Sequence, residues 1–167
     1  MFGRRMVVAV CIAVLLGTAL GRSGQAAETR PILTAAAAMT MVHACLSMAE
    51  AEGWRMHIAV MDNSARLKAY FRMDDSQMLS QDIAIGKARS SAFSPRSTKQ
   101  WADSGFPQGG GPTAAAFVPG VIYFEGGLPI MTADGYHVGG IGVSGSSGQN
   151  DAICAQAGID AAADDLK

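Results

Sequence analysis

The chain has 167 residues, of which 49% are hydrophobic and 16% charged, and its formal net charge is −1 at pH 7. This length suffices for one domain with a substantial core but is too short for two once an export signal is removed. Without an excess of basic residues the chain lacks the positive surface on which nucleic-acid binding depends, and no nucleic acid is expected as a partner.

The first 26 residues show the three zones of an export signal. An Arg-Arg pair precedes an unbroken apolar run over residues 7–16, and small residues follow as far as Ala26. The run is too short for a permanent membrane helix, and it fits the general secretory route better than the twin-arginine route. The sequence therefore predicts a cleaved signal peptide over residues 1–26, a single domain over residues 27–167, and a periplasmic or secreted location. A retained membrane anchor is the alternative.

Residues 34–52 are predicted to form the first helix, which is rich in alanine and methionine and ends at a glycine. Alternation of apolar and polar residues over 55–61 predicts a strand, and turn residues connect it to a returning strand over 66–73. A second helix is predicted over residues 80–92, with Ser80 as its N-cap.

A short helix is predicted from Ser97, and the stretch "GFPQGGGPTAAAF" that follows it is expected to be a flexible loop. Two strands flank the Asp134-Gly135 turn, the second over residues 136–144, and a last helix is predicted over residues 151–166. The order αββα(α)ββα contains two hairpins and no βαβ repeat. We therefore expect an antiparallel sheet with flanking helices, an α+β fold.

The last predicted strand and its end contain Gly140, Gly142 and Gly145 in the spacing G-x-G-x-x-G that is typical of dinucleotide sites. Such a site requires a second parallel strand after the following helix, and the sequence stops at Lys167 before that strand fits. A nucleotide site is therefore not expected. Glycines inside a strand indicate instead that another backbone or a flat ligand comes close.

Two cysteines, Cys45 and Cys154, remain after removal of the signal peptide, and each lies in a helical stripe of small or apolar residues. An oxidising compartment allows a disulfide between them if the two stripes face each other. The alternative is that both are small buried hydrophobic residues. Neither thiol has the surroundings of a catalytic nucleophile.

Residues 60–93 and 126–158 carry several motifs that occur together in one known family. These include "RMD", "S-x-x-I-A-x-x-K-A", "GG-x-P-I" and "G-x-I-G-V-S-G" followed by "Q-x-D". On these motifs the sequence resembles the GlcG/HbpS-like family, the haem-binding secreted proteins whose domain also forms the C-terminal part of PduO-type proteins. It departs from the family pattern at Ala65, where a hairpin glycine is expected, and at Ser91, which replaces an alanine.

The resemblance implies a profilin-like domain that forms homo-oligomers and binds haem or a related tetrapyrrole. It also implies slow haem breakdown or iron-linked redox sensing in exported members, beside a membrane sensor or dehydrogenase partner; any enzymatic activity is expected to be incidental. Two other functions stay open. One is an enzyme or accessory subunit for a small carboxylate or a corrinoid, and the other is a structural oligomer without a ligand.

Haem needs an axial ligand, an apolar slot for the macrocycle and polar groups for its propionates. His43 lies on the side of the first helix that faces away from the cysteine stripe, where it is either simply exposed or available to the haem iron. His137, just after the hairpin turn, is the second candidate ligand. His57 lies on the strand face opposite Ile58, which we expect to be solvated unless a partner covers it.

The remaining candidates for cofactor binding are polar or small residues. Lys87 interrupts the apolar side of its helix, so its ammonium group must find partners. Arg72 can clamp a carboxylate, although an ion pair with Asp74 is the alternative. Gly140 marks the point at which a flat ligand would approach the glycine strand.

Ser146 and Ser147 stand where the last helix begins, and unpaired amide groups at that position attract anions such as a propionate. The alternative is that Ser147 or Asn150 caps the helix without any ligand. No sequence pattern indicates a nucleophile elbow or a dedicated transition-metal site.

Overall fold

The computed structural model describes residues 29–167, so the predicted signal peptide lies outside the described residues. The α-helices are α1 (Ala35–Ala51), α2 (Leu79–Phe93), α3 (Thr98–Gly105) and α4 (Gly148–Ala161). The strands are β1 (His57–Asp62), β2 (Leu67–Arg72), β3 (Gly127–Met131) and β4 (His137–Ser144). Short 3₁₀ turns cover Ala114–Phe117 and Ala163–Leu166.

The four strands form one antiparallel sheet in the order β2-β1-β4-β3. Two hairpins, β1–β2 and β3–β4, are joined where β1 pairs with β4, from His57 opposite Ser144 to Asp62 opposite Gly139. The predicted α+β class and element order are confirmed. Because β4 has antiparallel neighbours on both sides, the glycine spacing in it does not form the βαβ turn of a nucleotide site.

The helix boundaries follow local capping. The Thr34 side chain accepts a hydrogen bond from the amide of Ala37 and starts α1. The Ser147 side chain accepts from the amide of Asn150, so α4 begins at Gly148, three residues before the predicted start. Ser80 does not cap α2, because that helix starts at Leu79 and the Ser80 side chain is buried within it.

Helices cover both faces of the sheet. On one face, α1 and α4 pack on the alternate apolar residues of the central strands, including Ile58, Val60, Ile141 and Val143. On the other face, α2 presents small residues to the sheet, and a second, smaller apolar cluster forms there from Ala59, Met61, Ala84, Ala88 and Ala92. The two central strands, β1 and β4, are therefore buried on both sides, while the edge strand β2 stays largely exposed.

The glycines of β4 allow α2 to lie directly on the sheet. A Cβ atom added at Gly142 would come within 2.2 Å of the Ala84 carbonyl oxygen, and one at Gly140 within 2.5 Å of the Ala88 carbonyl oxygen. The backbone that approaches the glycine strand is thus that of α2. Gly140 is covered by the helix, which corrects its assignment as a contact for a flat ligand.

A disulfide joins Cys45 on α1 to Cys154 on α4. The two cysteine stripes face each other, because α1 and α4 pack side by side on the same face of the sheet. The bond closes a loop with a sequence separation of 109 residues. It therefore connects the two ends of the domain.

The glycine-rich stretch before β3 contains more structure than we predicted. Thr113 caps the 3₁₀ turn of Ala114–Phe117, and the Tyr123 hydroxyl donates to the carbonyl oxygen of Ala115. The stretch is held against the end of α3 by Thr113, whose hydroxyl donates to the Ser104 carbonyl oxygen at 2.6 Å and whose amide donates to that of Gly105 at 2.8 Å. Within residues 29–167, no helix combines the length and apolar character needed to cross a membrane.

Candidate functional site

Lys87 and Asp151 form a buried ion pair between α2 and the first turn of α4. The Lys87 Nζ atom lies 2.8 Å from Asp151 Oδ2 and also donates to the Val143 carbonyl oxygen at 2.8 Å. Both side chains are almost completely buried, with 2% and 3% of their surface exposed. The prediction that the Lys87 ammonium must find partners is met by these two oxygens.

The protein interior shifts both members of this pair toward their neutral forms. Burial lowers the pKa of Lys87, and the hydrogen bond and charge of Asp151 offset this shift only in part. Burial likewise raises the pKa of Asp151 against the opposing effects of Lys87 and of the amide groups of Ser146 and Gly145. The Lys87 ammonium group therefore loses its proton more readily than the ammonium group of an exposed lysine does.

The ion pair forms part of the wall of a cleft of about 470 Å³, which we call the Lys87 cleft. Its lining consists of Ile83, Lys87, Tyr123, Phe124, Glu125, Ser144, Ser146, Gly148 and Asp151. Within the described part of the chain, Glu125 makes no ion pair or hydrogen bond. Because Lys87 is neutralised by Asp151, the cleft as a whole is negative.

Ser146 and Ser147 are both engaged in starting α4. The Ser147 Oγ atom accepts from the Asn150 amide, while the Ser146 amide donates to Asp151 Oδ1. Ser146 Oγ accepts from the side-chain amide of Asn150 at 3.0 Å. The capping alternative thus accounts for Ser147, and the charge of the cleft disfavours a propionate beside Ser146.

A second concavity, of about 350 Å³, lies between α1 and the end of β2, and we call it the α1–β2 groove. Its lining consists of Leu46, Glu50, Arg55, Phe71, Arg72, Met73, Asp74 and Asp75. It shares no lining residue with the Lys87 cleft. Three apolar, two basic and three acidic residues therefore line one open groove.

Neither arginine of the groove forms an ion pair among residues 29–167, so the alternative pairing of Arg72 with Asp74 is not observed. Arg55 donates one hydrogen bond, to the Trp54 carbonyl oxygen at 3.0 Å. Phe71 keeps 39% of its surface exposed although it lies on a strand. An exposed aromatic ring beside unpaired guanidinium groups is typical of a binding surface rather than of a core.

His43 is exposed on α1, next to the groove. Its position is three residues before Leu46 and seven before Glu50, so the three side chains share one helix face. His43 is therefore one helical turn, about 5 Å along the axis, from the groove lining. Of the predicted site residues, His43 lies on the helix that borders the groove. Arg72 lines the β2 end of the groove, but its charge acts on His57 and Tyr70 on the α2 side of the sheet.

His137 and Lys87 do not lie at this surface. The His137 Nε2 atom donates a hydrogen bond to the carbonyl oxygen of Ser91 at 2.8 Å. Lys87 lies in the other cleft, and Gly140 is under α2. Within residues 29–167, no group of three or more histidine, cysteine or acidic side chains is placed to hold a metal ion.

His57 is fully buried, which corrects the expectation that its strand face would be solvated. The reason is that α2 and the segment before it cover this face. The His57 Nε2 atom donates a hydrogen bond to the Gln77 carbonyl oxygen at 2.9 Å. The other ring nitrogen, Nδ1, therefore accepts a hydrogen bond from the Tyr70 hydroxyl group at 2.6 Å. Both ring nitrogens are occupied, so His57 is not available to a metal.

We expect the stability of the protein to depend on this neutral histidine. Burial lowers the pKa of His57 below the ordinary value of 6.5. The unfolded chain therefore binds a proton that the folded chain does not, and the free energy of unfolding should fall as the pH drops below 6.5. Denaturant titrations across this range should show the decline in the wild type and in His43→Ala but a flatter profile in His57→Gln. An unchanged profile in His57→Gln would contradict this assignment.

Several functional residues were not identified from the sequence. Phe71 and Arg55 were assigned only to strands, because the groove exists only once β2 lies beside α1. Asp151 was placed only at the start of the last helix, and its ion pair with Lys87, 64 residues earlier in the chain, was not predicted. No sequence pattern marks Glu125, because only the folded structure shows that its carboxylate lies in the cleft without an ion-pair partner among residues 29–167.

Comparison with known proteins agrees with this architecture. Residues 33–160 match the family described as haem degrading protein HbpS-like. Protein GlcG of Escherichia coli (strain K12) is 35% identical over 117 residues, which represent 70% of this chain and 84% of GlcG.

Solved structures of related proteins have the same fold. The crystal structure of HbpS superposes with a TM-score of 0.71 at 30% identity, covering 83% of this chain and 95% of that one. A PduOC complex with haem superposes with a TM-score of 0.70 at 24% identity, covering 78% and 95% of the two chains. The resemblance seen in the sequence motifs is thus confirmed, and the chain belongs to the HbpS-like family.

Proposed function

We propose that the protein is an exported haem-binding protein and that haem lies in the α1–β2 groove with His43 as an axial ligand. The observation that carries this proposal is the exposed His43 on the helix that borders the α1–β2 groove, whose lining includes the exposed Phe71 ring and Arg55. The haem complex of PduOC and the haem-related family description support the choice of ligand.

The residues of the groove fit the chemistry of haem. Leu46 and Phe71 offer apolar surface for the macrocycle, and an imidazole is a common axial ligand of haem iron. Arg55, which is exposed at the groove, can bind a propionate through the N–H donors that its hydrogen bond to the Trp54 carbonyl oxygen leaves open. Bound haem would supply an iron centre for ligand binding or electron transfer, while the protein sets its position and polarity.

Charge does not separate the two concavities, because Glu50, Asp74 and Asp75 line the groove beside its two arginines and Glu125 lines the cleft beside the Lys87–Asp151 pair. The groove is preferred because the exposed His43 lies on the helix that borders it, whereas no histidine lines the Lys87 cleft.

Export and self-association belong to the same proposal. The disulfide between Cys45 and Cys154 supports export, because such bonds persist in oxidising compartments. Leu67 and Phe71 are exposed on the edge strand β2, and apolar residues on an open strand edge support a homo-oligomer. We further propose that captured haem serves iron handling or redox sensing in the periplasm or outside the cell.

Haemin titration followed by absorption at the Soret band tests this function. We expect saturable binding by the wild type and binding weakened about tenfold or more by His43→Ala, since loss of the axial ligand removes at least about 1.4 kcal/mol. His137→Ala is the matched control and should bind as the wild type does. Equal binding by His43→Ala and the wild type would contradict the assignment of the ligand.

A further inference from the structure

Exposed phenylalanines in and beside the glycine-rich stretch carry a further inference. We propose that they insert into the surface of a lipid bilayer and hold the protein at a membrane. The surface consists of Phe106, Phe117 and Phe124, and we call it the phenylalanine patch. None of these residues lines the α1–β2 groove, so the proposal does not depend on haem binding there.

Three passages of the chain meet beneath the phenylalanine patch. A Cβ atom added at Gly105 would lie 3.3 Å from the Ala116 Cα atom and 3.3 Å from the Tyr123 Cε1 atom. Each member of the patch is the residue that follows one of these three in the chain. Because consecutive Cα atoms lie only about 3.8 Å apart, the three phenylalanines belong to one small region of the surface.

Contacts with the rest of the domain hold the patch in place. The Phe106 ring packs edge to face on the Tyr123 ring, with the two centroids 5.3 Å apart. The Tyr123 hydroxyl donates to the Ala115 carbonyl oxygen, and the Ile122 amide donates to Ser90 Oγ on α2 at 2.8 Å. The rings are therefore presented by a segment that is tied to α2, which reduces the entropy that insertion would cost.

The patch leaves a large apolar area in contact with solvent. Phe106, Phe117 and Phe124 are 53%, 73% and 61% exposed. At about 200 Å² for each aromatic side chain, the three expose on the order of 350 Å². A contiguous apolar patch of this size often marks an interaction site. It is too small for a stable protein interface, in which each partner buries about 800 Å².

The absence of charge favours a lipid surface over a protein partner. No charged residue occurs between residues 104 and 124, although 16% of the whole chain is charged. A protein interface has a polar rim, whereas a charged side chain placed in lipid is costly. Phenylalanine is favoured at the boundary between lipid headgroups and acyl chains. The composition of this segment therefore matches that of a loop that inserts into a membrane.

The backbone limits the depth of insertion. Residues 106–112 are exposed and belong to no helix or strand. Backbone groups that depend on water for hydrogen bonds cannot enter the hydrocarbon core of a bilayer. We therefore expect only the rings to enter the lipid. Because the patch is uncharged, binding should not require anionic lipids and should depend little on salt.

Vesicle sedimentation tests the proposal. Residues 27–167 are used, because the apolar run of the predicted signal peptide would itself insert. We expect the wild type to sediment with phosphatidylcholine vesicles, and to the same extent in about 0.5 M sodium chloride. Phe117→Asp should weaken this binding about tenfold or more, since it removes the most exposed ring of the patch and adds a carboxylate.

Two further variants sharpen the test. Ile32→Asp is the matched control, because it changes an apolar residue that is 75% exposed but lies before α1, and it should bind vesicles as the wild type does. Phe117→Trp should keep vesicle binding, and the fluorescence of the new indole should shift to shorter wavelength when vesicles are added.

A wild type that does not sediment with vesicles, or a Phe117→Asp variant that sediments as well as the wild type, would overturn the proposal. If vesicles are not bound and light scattering shows fewer subunits for Phe117→Asp than for the wild type, the patch is instead an interface between copies of the chain. Haemin titration of Phe117→Asp should match that of the wild type, because Phe117 does not line the groove. Loss of membrane binding and loss of haem binding are therefore separate results.

Discussion

Asp151→Ala should lower the free energy of unfolding by about 3–5 kcal/mol, because it leaves the Lys87 ammonium buried with only the Val143 carbonyl oxygen as a partner. Adding Lys87→Met should restore much of this loss, since the double variant no longer buries an uncompensated charge. Urea unfolding of the two single variants and the double variant measures the effect directly.

The exposed ion pair between Lys99 and Asp103 provides the matched control. Its nitrogen and oxygen lie 3.1 Å apart, but the two side chains are 56% and 65% exposed. Asp103→Ala should therefore cost less than about 1 kcal/mol. A loss in Asp151→Ala no larger than that in Asp103→Ala would show that the buried pair is not charged in the folded protein.

Removal of the disulfide should have a comparable effect. The bond between Cys45 and Cys154 constrains a loop with a sequence separation of 109 residues. The entropy of closing such a loop in the unfolded chain predicts a loss of about 2–5 kcal/mol for the variant with Cys45→Ala and Cys154→Ala. Urea unfolding of the predicted mature form, residues 27–167, under oxidising conditions gives the measurement.

A reducing agent provides the control for this second effect. Dithiothreitol should shift the unfolding midpoint of the wild type toward that of the double variant and leave the variant itself unchanged. A wild type that is insensitive to the reducing agent, with the thiols shown to be reduced, would contradict a stabilising role for the bond.

Local signals in the sequence predicted most of the fold. The first helix was predicted to start one residue before its observed start at Ala35, and the last helix three residues after its observed start at Gly148. The start of α2 was misplaced because Ser80 has the chemistry of a cap but faces the protein interior. Propensity alone does not distinguish a capping serine from a buried one.

We did not predict from the sequence that α2 covers the second face of the sheet, and the reason is physical. His57 was expected to be solvated because strand alternation describes one face and says nothing about what packs on the other. The covering helix needs small residues on both sides of the contact, and these are present as Ala84 and Ala88 on α2 and Gly142 on β4. This pairing of alanines with strand glycines is the signal that could have predicted the burial.

The candidate sites depend on tertiary contacts that no local pattern contains. His43 and Arg72 were each singled out, but the groove arises only because α1 lies beside the edge strand β2. In the same way, the partner of Lys87 was not predictable, since Asp151 is brought to it by the turn between β4 and α4.

Haemin titration of two charge variants tests the location of the haem site most directly. Phe71→Asp places a carboxylate in the α1–β2 groove, and Phe124→Asp places one in the Lys87 cleft at a ring that is also exposed. We expect Phe71→Asp to weaken haemin binding about tenfold or more, because apolar contact is lost and the propionates are repelled, while Phe124→Asp binds as the wild type does. Normal binding by Phe71→Asp together with weakened binding by Phe124→Asp would place haem in the cleft and contradict the groove assignment.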